Sequence, residues 1–475
     1  MSEPTTILWF RQDLRLRDNP ALRSAVEHGR VLPVYILDDV NAGDWQMGAA
    51  SRWWLHLSLA ALDAQLDHKL WLFAGDPLEL LPKIARDQQA QRVVWNRCYE
   101  PWRIQRDKKI KSLLSDRGLE SESFNGSLLW EPWVNLKRDG SPYKVFTPFF
   151  RNARDSLRAP EEPQQKPAHI ALVDCGQGAE KLDELALMPS THWYGGIENA
   201  WTPGEDGAAN KLQYFLDDGV GDYREGRDFP ARRSVSRLSP HLHFGEVSPR
   251  QVWHAAERAA TAAGLEKQVE HFQRELGWRE FSYSLLYHFP TLTQQNMNAR
   301  FNEFPWTREQ KMLEAWQKGE TGFPLVDAGM RELWQTGYMH NRVRMVVGSF
   351  LVKNLRHHWL DGARWFWDCL VDADLANNSG GWQWVAGCGA DAAPYFRIFN
   401  PITQSRKFDP EGDYIRRFVP ELGDLPAKHL HEPAQAPADV LKAANVVLGE
   451  TYPSPIVSHP ETREEALQAY QQIKG

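Results

Sequence analysis

The stretch with the most chemical information lies near residue 375, where polar side chains interrupt an apolar, helix-forming sequence. It holds the carboxylates Asp372 and Asp374 and the amide Asn378, with Trp382 close behind. Burying a polar group without a partner costs roughly 2–7 kcal/mol, so a plain core does not favour this mixture. Hydrogen bonds to a sugar or to ring nitrogens are one interpretation, and helix capping is the other. No histidine stands at ligand spacing, so we predict no metal site here.

A second polar cluster begins about thirty residues earlier. Arg344 and Met345 follow Asn341 by three and four positions, so the three share one side of a helix. Arg342 points elsewhere. At the mouth of a pocket such an arginine could bind a phosphate, and on an open surface it would only be solvated.

Two further segments each allow two interpretations. Glu275 and Arg279 are four apart and could form a helix ion pair beside a packed Trp278. Alternatively, Trp278 is an aromatic platform next to a carboxylate that binds a ligand. The segment 223–240 is rich in Arg and Ser and could hold a pyrophosphate or be a solvated basic loop, since it contains no glycine-rich nucleotide motif.

Composition predicts a soluble protein of two or three domains. The chain has 475 residues, is 42% hydrophobic and 25% charged, and carries a net charge of -7. Taken alone, that charge disfavours a nucleic-acid partner, although a local basic patch could still bind one. The polar start, the lack of a long apolar run and the scattered cysteines predict a cytoplasmic protein without a leader or a membrane span. The cysteines are Cys98, Cys175, Cys369 and Cys388.

The elements that must position these side chains differ between the two ends of the chain. The first 135 residues alternate strands and helices, which predicts a doubly wound parallel sheet. Residues 136–202 lose this pattern and include a proline-rich stretch, which indicates a linker between domains. Residues 203–475 contain long helical segments and almost no strand pattern, which predicts a mostly α-helical domain.

Seven segments together resemble the photolyase/cryptochrome family. They stand in the family's order and span nearly the whole chain. The segments are Leu8–Asn19, Tyr143–Pro148, Ser236–Pro240, Glu275–Phe281, Met339–Arg342, Asn378–Trp384 and Ala393–Pro401.

The resemblance implies an α/β antenna domain followed by a helical domain that holds FAD. Arg344 would pair with Asp372, and Asn378 would face the flavin N5. The phosphate and adenosine side would be bound by Tyr223, Val235, Ser236, Arg237, Leu238 and Ser239. The flavin or the adjoining ribose would be lined by Arg279, Asn341, Arg344, Asp372, Ala373 and Asp374.

The family's reaction implies roles for further residues. A pyrimidine dimer is flipped out of DNA, and photoexcited reduced FAD gives it an electron; photolyases are a named example of the base-flipping principle. Catalysis would use Glu275, Trp278, Met345 and Asn378, with Trp278 stacked on the dimer. Electrons from the surface would pass through Trp306, Trp359 and Trp382, although packing alone explains tryptophans equally well. Contacts to DNA would come from Arg227, Glu275, Trp278, Arg342, Arg397 and Gln404.

Details within the family favour one branch. Relatives that repair (6-4) photoproducts carry histidines at Asn341 and Met345, so the sequence favours a monomeric cyclobutane pyrimidine dimer photolyase. The short stretch after Glu461 also argues against a signalling extension, yet Ala50–Trp54 resembles plant cryptochromes, and a signalling flavoprotein is the alternative. Trp102 and Arg103 stand where many relatives bind folate through Asn and Glu. The antenna could therefore be methenyltetrahydrofolate held differently, a deazaflavin, or absent.

Overall fold

The computed structural model describes residues 3–176, 178–392 and 396–474. The start of the Ala393–Pro401 motif, Ala393 to Tyr395, lies outside the described residues. Everything below concerns the described part of the chain.

The N-terminal part is a five-stranded parallel sheet, as predicted. Its strand order is β3-β2-β1-β4-β5, so the order reverses between β1 and β4. In sheets of this kind ligands bind beyond the carboxyl ends of the strands at such a reversal. The strands are β1 (Thr5–Phe10), β2 (Arg30–Leu37), β3 (Trp71–Ala74), β4 (Arg92–Asn96) and β5 (Glu120–Phe124).

Helices connect these strands and begin where the sequence predicts. Asn19 caps the first helix by accepting a hydrogen bond from the amide of Leu22, and Pro20 occupies the first turn. Asp76 caps the third helix in the same way. An oxygen acceptor at this position satisfies an amide that the helix itself leaves unpaired. The helices are α1 (Pro20–Glu27), α2 (Ala49–Gln65), α3 (Pro77–Asp87) and α4 (Pro101–Asp116).

The segment between the sheet and the helical domain has more regular structure than its composition indicates. It contains α5 (Phe146–Ser156) and α6 (Gly195–Ala200). One face of α5 is apolar, and Phe146, Phe149 and Phe150 are buried in the same core as the helices that follow. Residues around Leu172 run beside β2 through a bridge to Val31.

The C-terminal part is helical, as predicted. Helix α14 ends at Ser349, and a π-helix, Phe350–Asn354, continues it. The longer helices are α10 (Pro249–Ala263), α11 (Glu266–His288), α12 (Gln310–Lys318), α13 (Pro324–Thr336), α14 (Asn341–Ser349), α15 (Trp359–Cys369), α16 (Leu375–Ala386) and α21 (His459–Lys474). The shorter ones are α7 (Glu205–Tyr214), α8 (Tyr223–Gly226), α9 (Ser239–His243), α17 (Pro401–Phe408), α18 (Asp413–Phe418), α19 (Ala427–Leu430) and α20 (Ala438–Ala443).

Buried polar contacts join the sheet to the helices. The carboxylate of Glu246 accepts hydrogen bonds from the indole N–H of Trp54 at 3.0 Å and from the hydroxyl of Ser58, both on α2. On the helical side it accepts from the amide of Gly204 and from His241. One carboxylate thus joins two domains.

Across the described ranges, none of the helices is both long enough and apolar enough to span a lipid bilayer.

Candidate active site

Helix α11 carries two of the predicted catalytic side chains. Glu275 forms an ion pair with Arg227, a residue that follows α8. Arg279 instead pairs with Glu280 at 3.0 Å. The ion pair between Glu275 and Arg279, one of the two interpretations of this segment, is therefore not the pairing observed, because each side chain has another partner.

Trp278, on the same helix, has one face covered. Its ring stacks on Phe146 of α5 at 3.8 Å between centroids and 10° between planes. Phe281 meets its edge at 5.8 Å. The indole as a whole is only half-buried, so part of it remains accessible to solvent.

Helix α16 brings a carboxylate and an amide to the centre of the domain. The side chain of Asp374 caps the helix by accepting from the amide of Asn377 at 2.8 Å, so capping, one of the two alternatives, is observed. Asn378 donates its amide N–H to the carbonyl of Ala363 at 2.9 Å. That bond fixes the side chain so that its oxygen points away from Ala363.

Asp374 also serves a second purpose. It accepts from the hydroxyl of Tyr283 at 2.5 Å and from His243 at 3.3 Å. Burial alone would raise the pKa of Asp374, but these hydrogen bonds and the charge of His243 lower it to about 2. The carboxylate therefore stays ionised and available as an acceptor at neutral pH.

Arg344 and Asp372 meet as the sequence predicts. The guanidinium donates to both carboxylate oxygens, at 3.0 and 2.9 Å, and also to the carbonyl of Met339. The hydroxyl of Ser239 donates to Asp372 at 2.6 Å. Ser239 opens α9, so the predicted phosphate-side segment and the predicted flavin-side residues share one network.

The loop before α9 has an unusual backbone at Arg237, whose φ is +53°. Non-glycine residues rarely adopt this conformation, and it is concentrated at functional sites. The guanidinium lies between Trp201 and Tyr338, 4.6 Å from each ring. Its Nε has no hydrogen-bond partner among the described residues, so a donor is left over in the loop.

The remaining cofactor candidates surround this loop. Tyr223, Leu238 and Ala373 are buried, while Val235 and Ser236 are half-buried. Burial raises the pKa of Tyr223, so its phenol remains protonated. Asn341 is exposed at the first turn of α14.

The predicted DNA-binding side chains do not share one environment. Arg342 pairs with Asp228 at 2.7 Å and lies 4.4 Å above the ring of Phe408. Arg227 is held by Glu275. Arg397 is exposed, and Gln404 is half-buried on α17 with its carbonyl oxygen unpaired within the described ranges.

Met345 and the three predicted electron-transfer tryptophans lie in the helical core or at its edge. Trp382 and Trp359 are 4% and 0% exposed, while Trp306 is half-buried. The ring of His358 lies between Trp306 and Trp359, 5.0 Å from the first and 5.5 Å from the second. Met345 is half-buried on α14.

A second candidate site lies beyond the carboxyl ends of β1 and β2. Its wall includes Trp102 and Arg103, and the arginine stacks 4.8 Å from that indole. Several buried polar atoms in this wall have no hydrogen-bond partner in the described part of the chain; they belong to Trp9, Arg11, Trp45, Glu100 and Arg103. Burying a polar atom without a partner is costly, which points to an additional ligand.

Sequence reasoning missed four side chains at these sites. Phe146 and Trp384 stand within motifs already noted, so membership in a motif could have found them. Tyr283 and Glu280 follow Arg279 on α11, and helical spacing alone is weaker evidence that they belong to the site.

Comparison with known proteins identifies the architecture. Residues 6–168 match the DNA photolyase domain, and residues 272–472 match the FAD binding domain of DNA photolyase. The deoxyribodipyrimidine photo-lyase of Agrobacterium fabrum is 49% identical, with 98% of each chain covered. The chain belongs to the DNA photolyase/cryptochrome family.

Two further relatives define its place in that family. A crystal structure of a bacterial class III photolyase from Agrobacterium tumefaciens superposes with a TM-score of 0.96 at 48% identity, covering 100% of this chain and 98% of the other. Cryptochrome-2 of Arabidopsis thaliana is 38% identical over 97% of this chain and 77% of its own length. The predicted family, fold class, enzyme class and FAD cofactor are confirmed by these matches.

The residues of this photolyase-family protein fit FAD. The dinucleotide needs donors for its phosphates and hydrogen-bonding groups around its ring system. Arg237 and His340 each keep a buried ring or guanidinium nitrogen unpaired within the described residues. Asp372, Asp374, Asn378 and Arg344 surround the same region. Among the described residues no cluster of three or more potential metal ligands is found.

Proposed function

We propose that the protein repairs cyclobutane pyrimidine dimers in DNA, driven by light. The observation that carries the proposal is Trp278, a half-buried indole with one face packed on Phe146, on the helix that also carries the carboxylate of Glu275. An open indole face stacks on unpaired bases. A dimer is poorly stacked in the duplex, so extruding it costs less than extruding an intact base pair.

In this proposal each side chain has one task. Trp278 stacks on the extruded dimer, and Glu275 hydrogen-bonds its bases and steadies the charged state that forms there. Arg227 forms an ion pair with Glu275 and would bind a neighbouring phosphate when DNA is present. Arg342 binds the strand beside the lesion, and Met345 excludes water from the dimer.

FAD, bound and reduced, would supply on absorbing blue light the electron that splits the cyclobutane ring, and would take that electron back from the repaired bases. The Arg344–Asp372 pair and Ser239 would hold its ribose and ring edge. Asn378, fixed by Ala363, presents a neutral amide to the flavin ring. Electrons would pass inward from the surface through Trp306, Trp359 and Trp382.

The experiment that tests this uses the intact holoprotein. Reduced protein is mixed with oligo-thymidylate that carries cyclobutane dimers, and thymine absorbance is followed under blue light and in the dark. Recovery only in the light supports repair. No recovery with reduced FAD bound would reject it.

Replacing Trp278 tests the pocket itself. Trp278→Ala should weaken binding of dimer-containing DNA by about 1–3 kcal/mol, the usual contribution of stacking one base on an aromatic ring. The dissociation constant is measured by fluorescence anisotropy. An exposed tryptophan, Trp334, offers the control, since Trp334→Ala should leave this constant unchanged.

A cryptochrome-type signalling role is the second candidate, and the 38% identity to Cryptochrome-2 of Arabidopsis thaliana favours it. The two functions differ in one measurable respect. A signalling protein would bind FAD and respond to light without selective affinity for dimer-containing DNA.

We infer that the protein repairs DNA as a monomer in the cytoplasm, since every side chain proposed for the lesion pocket belongs to one chain.

We also infer that the cavity beyond β1 and β2 holds a light-harvesting chromophore. Its indoles could stack on a planar ring, and its arginines could bind an anionic tail. A folate has both a planar ring system and an anionic tail, and so does a deazaflavin. The absorption spectrum of purified protein after removal of FAD distinguishes these two. Arg103→Met should lower the chromophore content while FAD content stays unchanged.

A further inference from the structure

The side chain that packs directly behind Trp278 in the proposed lesion pocket belongs to α5, which lies more than 100 residues earlier in the chain. Phe146 opens α5, is 1% exposed, and stacks nearly parallel on Trp278. Its other contacts are Phe150 at 5.6 Å and Phe281 at 6.1 Å. Phe146 therefore lies in a rigid aromatic group and cannot yield when Trp278 is pressed against it.

The same short segment also supports a second aromatic side chain. The carbonyl of Lys144 accepts a hydrogen bond from the amide of Asp391 at 3.1 Å. The carbonyl of Asp391 in turn accepts from the indole N–H of Trp384 at 3.2 Å. Asp391 has a φ of +56°, a conformation that non-glycine residues keep only where their surroundings impose it.

We infer that Phe146 is a positioning residue that fixes the plane of Trp278 for stacking on the dimer, while Lys144 and Asp391 hold the indole of Trp384 through hydrogen bonds. The inference rests on the proposed function. A free indole rotates about its side-chain bonds and loses that freedom when a base stacks on it. An indole already held by a parallel ring has lost this entropy beforehand, so ligand binding is tighter.

The helix that carries Trp278 is adapted to this contact. A Cβ atom at Gly277 would lie 2.3 Å from the ring of Phe150. Glycine at this position allows α5 and α11 to approach closely enough for the rings of Phe146 and Trp278 to meet. The contact thus depends on the geometry of two helices and on two particular side chains.

The test compares Phe146→Leu with Phe149→Leu in the full-length holoprotein. Phe149 lies on the same helix, is equally buried, and packs on Phe281 and Tyr143. We expect Phe146→Leu to raise the dissociation constant for dimer-containing DNA about five- to tenfold. FAD content, affinity for undamaged DNA and repair yield per bound dimer should stay within about twofold of wild type.

A double-mutant cycle separates positioning from general destabilisation. If Phe146 acts through Trp278, Phe146→Leu should change binding by less than about twofold in a Trp278→Ala background. Should Phe146→Leu fail to fold, Phe146→Met takes its place, since the flexible methionine side chain adapts to an irregular space.

Three outcomes would overturn the inference. They are unchanged binding by Phe146→Leu, an equal loss in Phe149→Leu, or additive losses in the double mutant. In each of these the wild type still discriminates dimer-containing DNA, so the proposed function stands. Wild-type protein without that discrimination would overturn the proposed function and this inference together.

Discussion

At the scale of residues, the candidate site is defined by charges that are buried with specific partners. The resemblance to the family implied the Arg344–Asp372 pair, and the structure contains it. Spacing failed for Glu275 and Arg279, because Arg227, which is distant in sequence, pairs with Glu275, and the adjacent Glu280 pairs with Arg279. Helix periodicity gives the face of a side chain but cannot give what another element brings to that face.

The Arg344–Asp372 pair should be needed to retain FAD. Asp372 is nearly fully buried, so Arg344→Met leaves a charge without its partner, a change that destabilises buried pairs by about 3–5 kcal/mol. We expect several-fold less FAD per chain, measured from flavin absorbance. Arg356→Met removes the surface pair with Glu465 at 3.1 Å and should change nothing. Equal FAD content in both variants would contradict the assignment.

Glu280 should make stability depend on pH near neutrality. Burial raises its pKa to about 7, although Arg279 and two backbone amides act against this. A raised pKa in the folded state means that stability is full below the unfolded pKa and is lost as pH rises toward 7 and beyond.

Glu280→Gln cannot ionise, so it isolates this effect. Between pH 5 and pH 8, wild type should lose on the order of 2–3 kcal/mol of unfolding free energy relative to the variant. Urea unfolding followed by circular dichroism at both pH values measures the difference. A difference that stays constant with pH would rule out titration of Glu280 in this range.

At the scale of elements, strands and long helices were predictable and the joints between them were not. Alternating apolar runs and capping residues such as Asn19 and Asp76 define the sheet domain. The end of α14 at Ser349 could not be foreseen, since its sequence stays apolar through the π-helix. Phe146 was noted in a motif, but its partner Trp278 lies on another element.

Two glycines on neighbouring helices should respond oppositely to alanine. A Cβ at Gly277 would overlap Phe150, whereas one at Gly381 on α16 would meet no atom within 4 Å. Gly277→Ala should destabilise by about 1–3 kcal/mol through overpacking, and Gly381→Ala should stabilise by up to about 1 kcal/mol through helix propensity. Urea unfolding measures both. Unchanged stability of Gly277→Ala would contradict the packing described for α5 and α11.

At the scale of the whole molecule, the two domains depend on each other. The net charge of -7 gave no hint of the proposed DNA-binding surface, because Arg227 and Arg342 are local charges, each paired with an acid. Composition also could not indicate Glu246, a single carboxylate that binds groups from both domains. Contacts of this kind arise only once the domains are placed together.

Removing that carboxylate should weaken both domains at once. Glu246→Ala leaves four donors without an acceptor, and each unsatisfied buried group costs about 1–3 kcal/mol. We expect differential scanning calorimetry to show one transition at a lower temperature. Glu198→Ala, on the surface beside His192, should leave the midpoint unchanged. Two separate transitions would show that the domains unfold independently.

The position of α5 determines how this chain could be recombined with its relatives. A chimera with a crossover after Ser156 would place a foreign ring against the native Trp278, and a crossover before Tyr143 would keep the two rings as inherited. Exchange of antenna halves between photolyases should therefore preserve lesion affinity only with the earlier breakpoint.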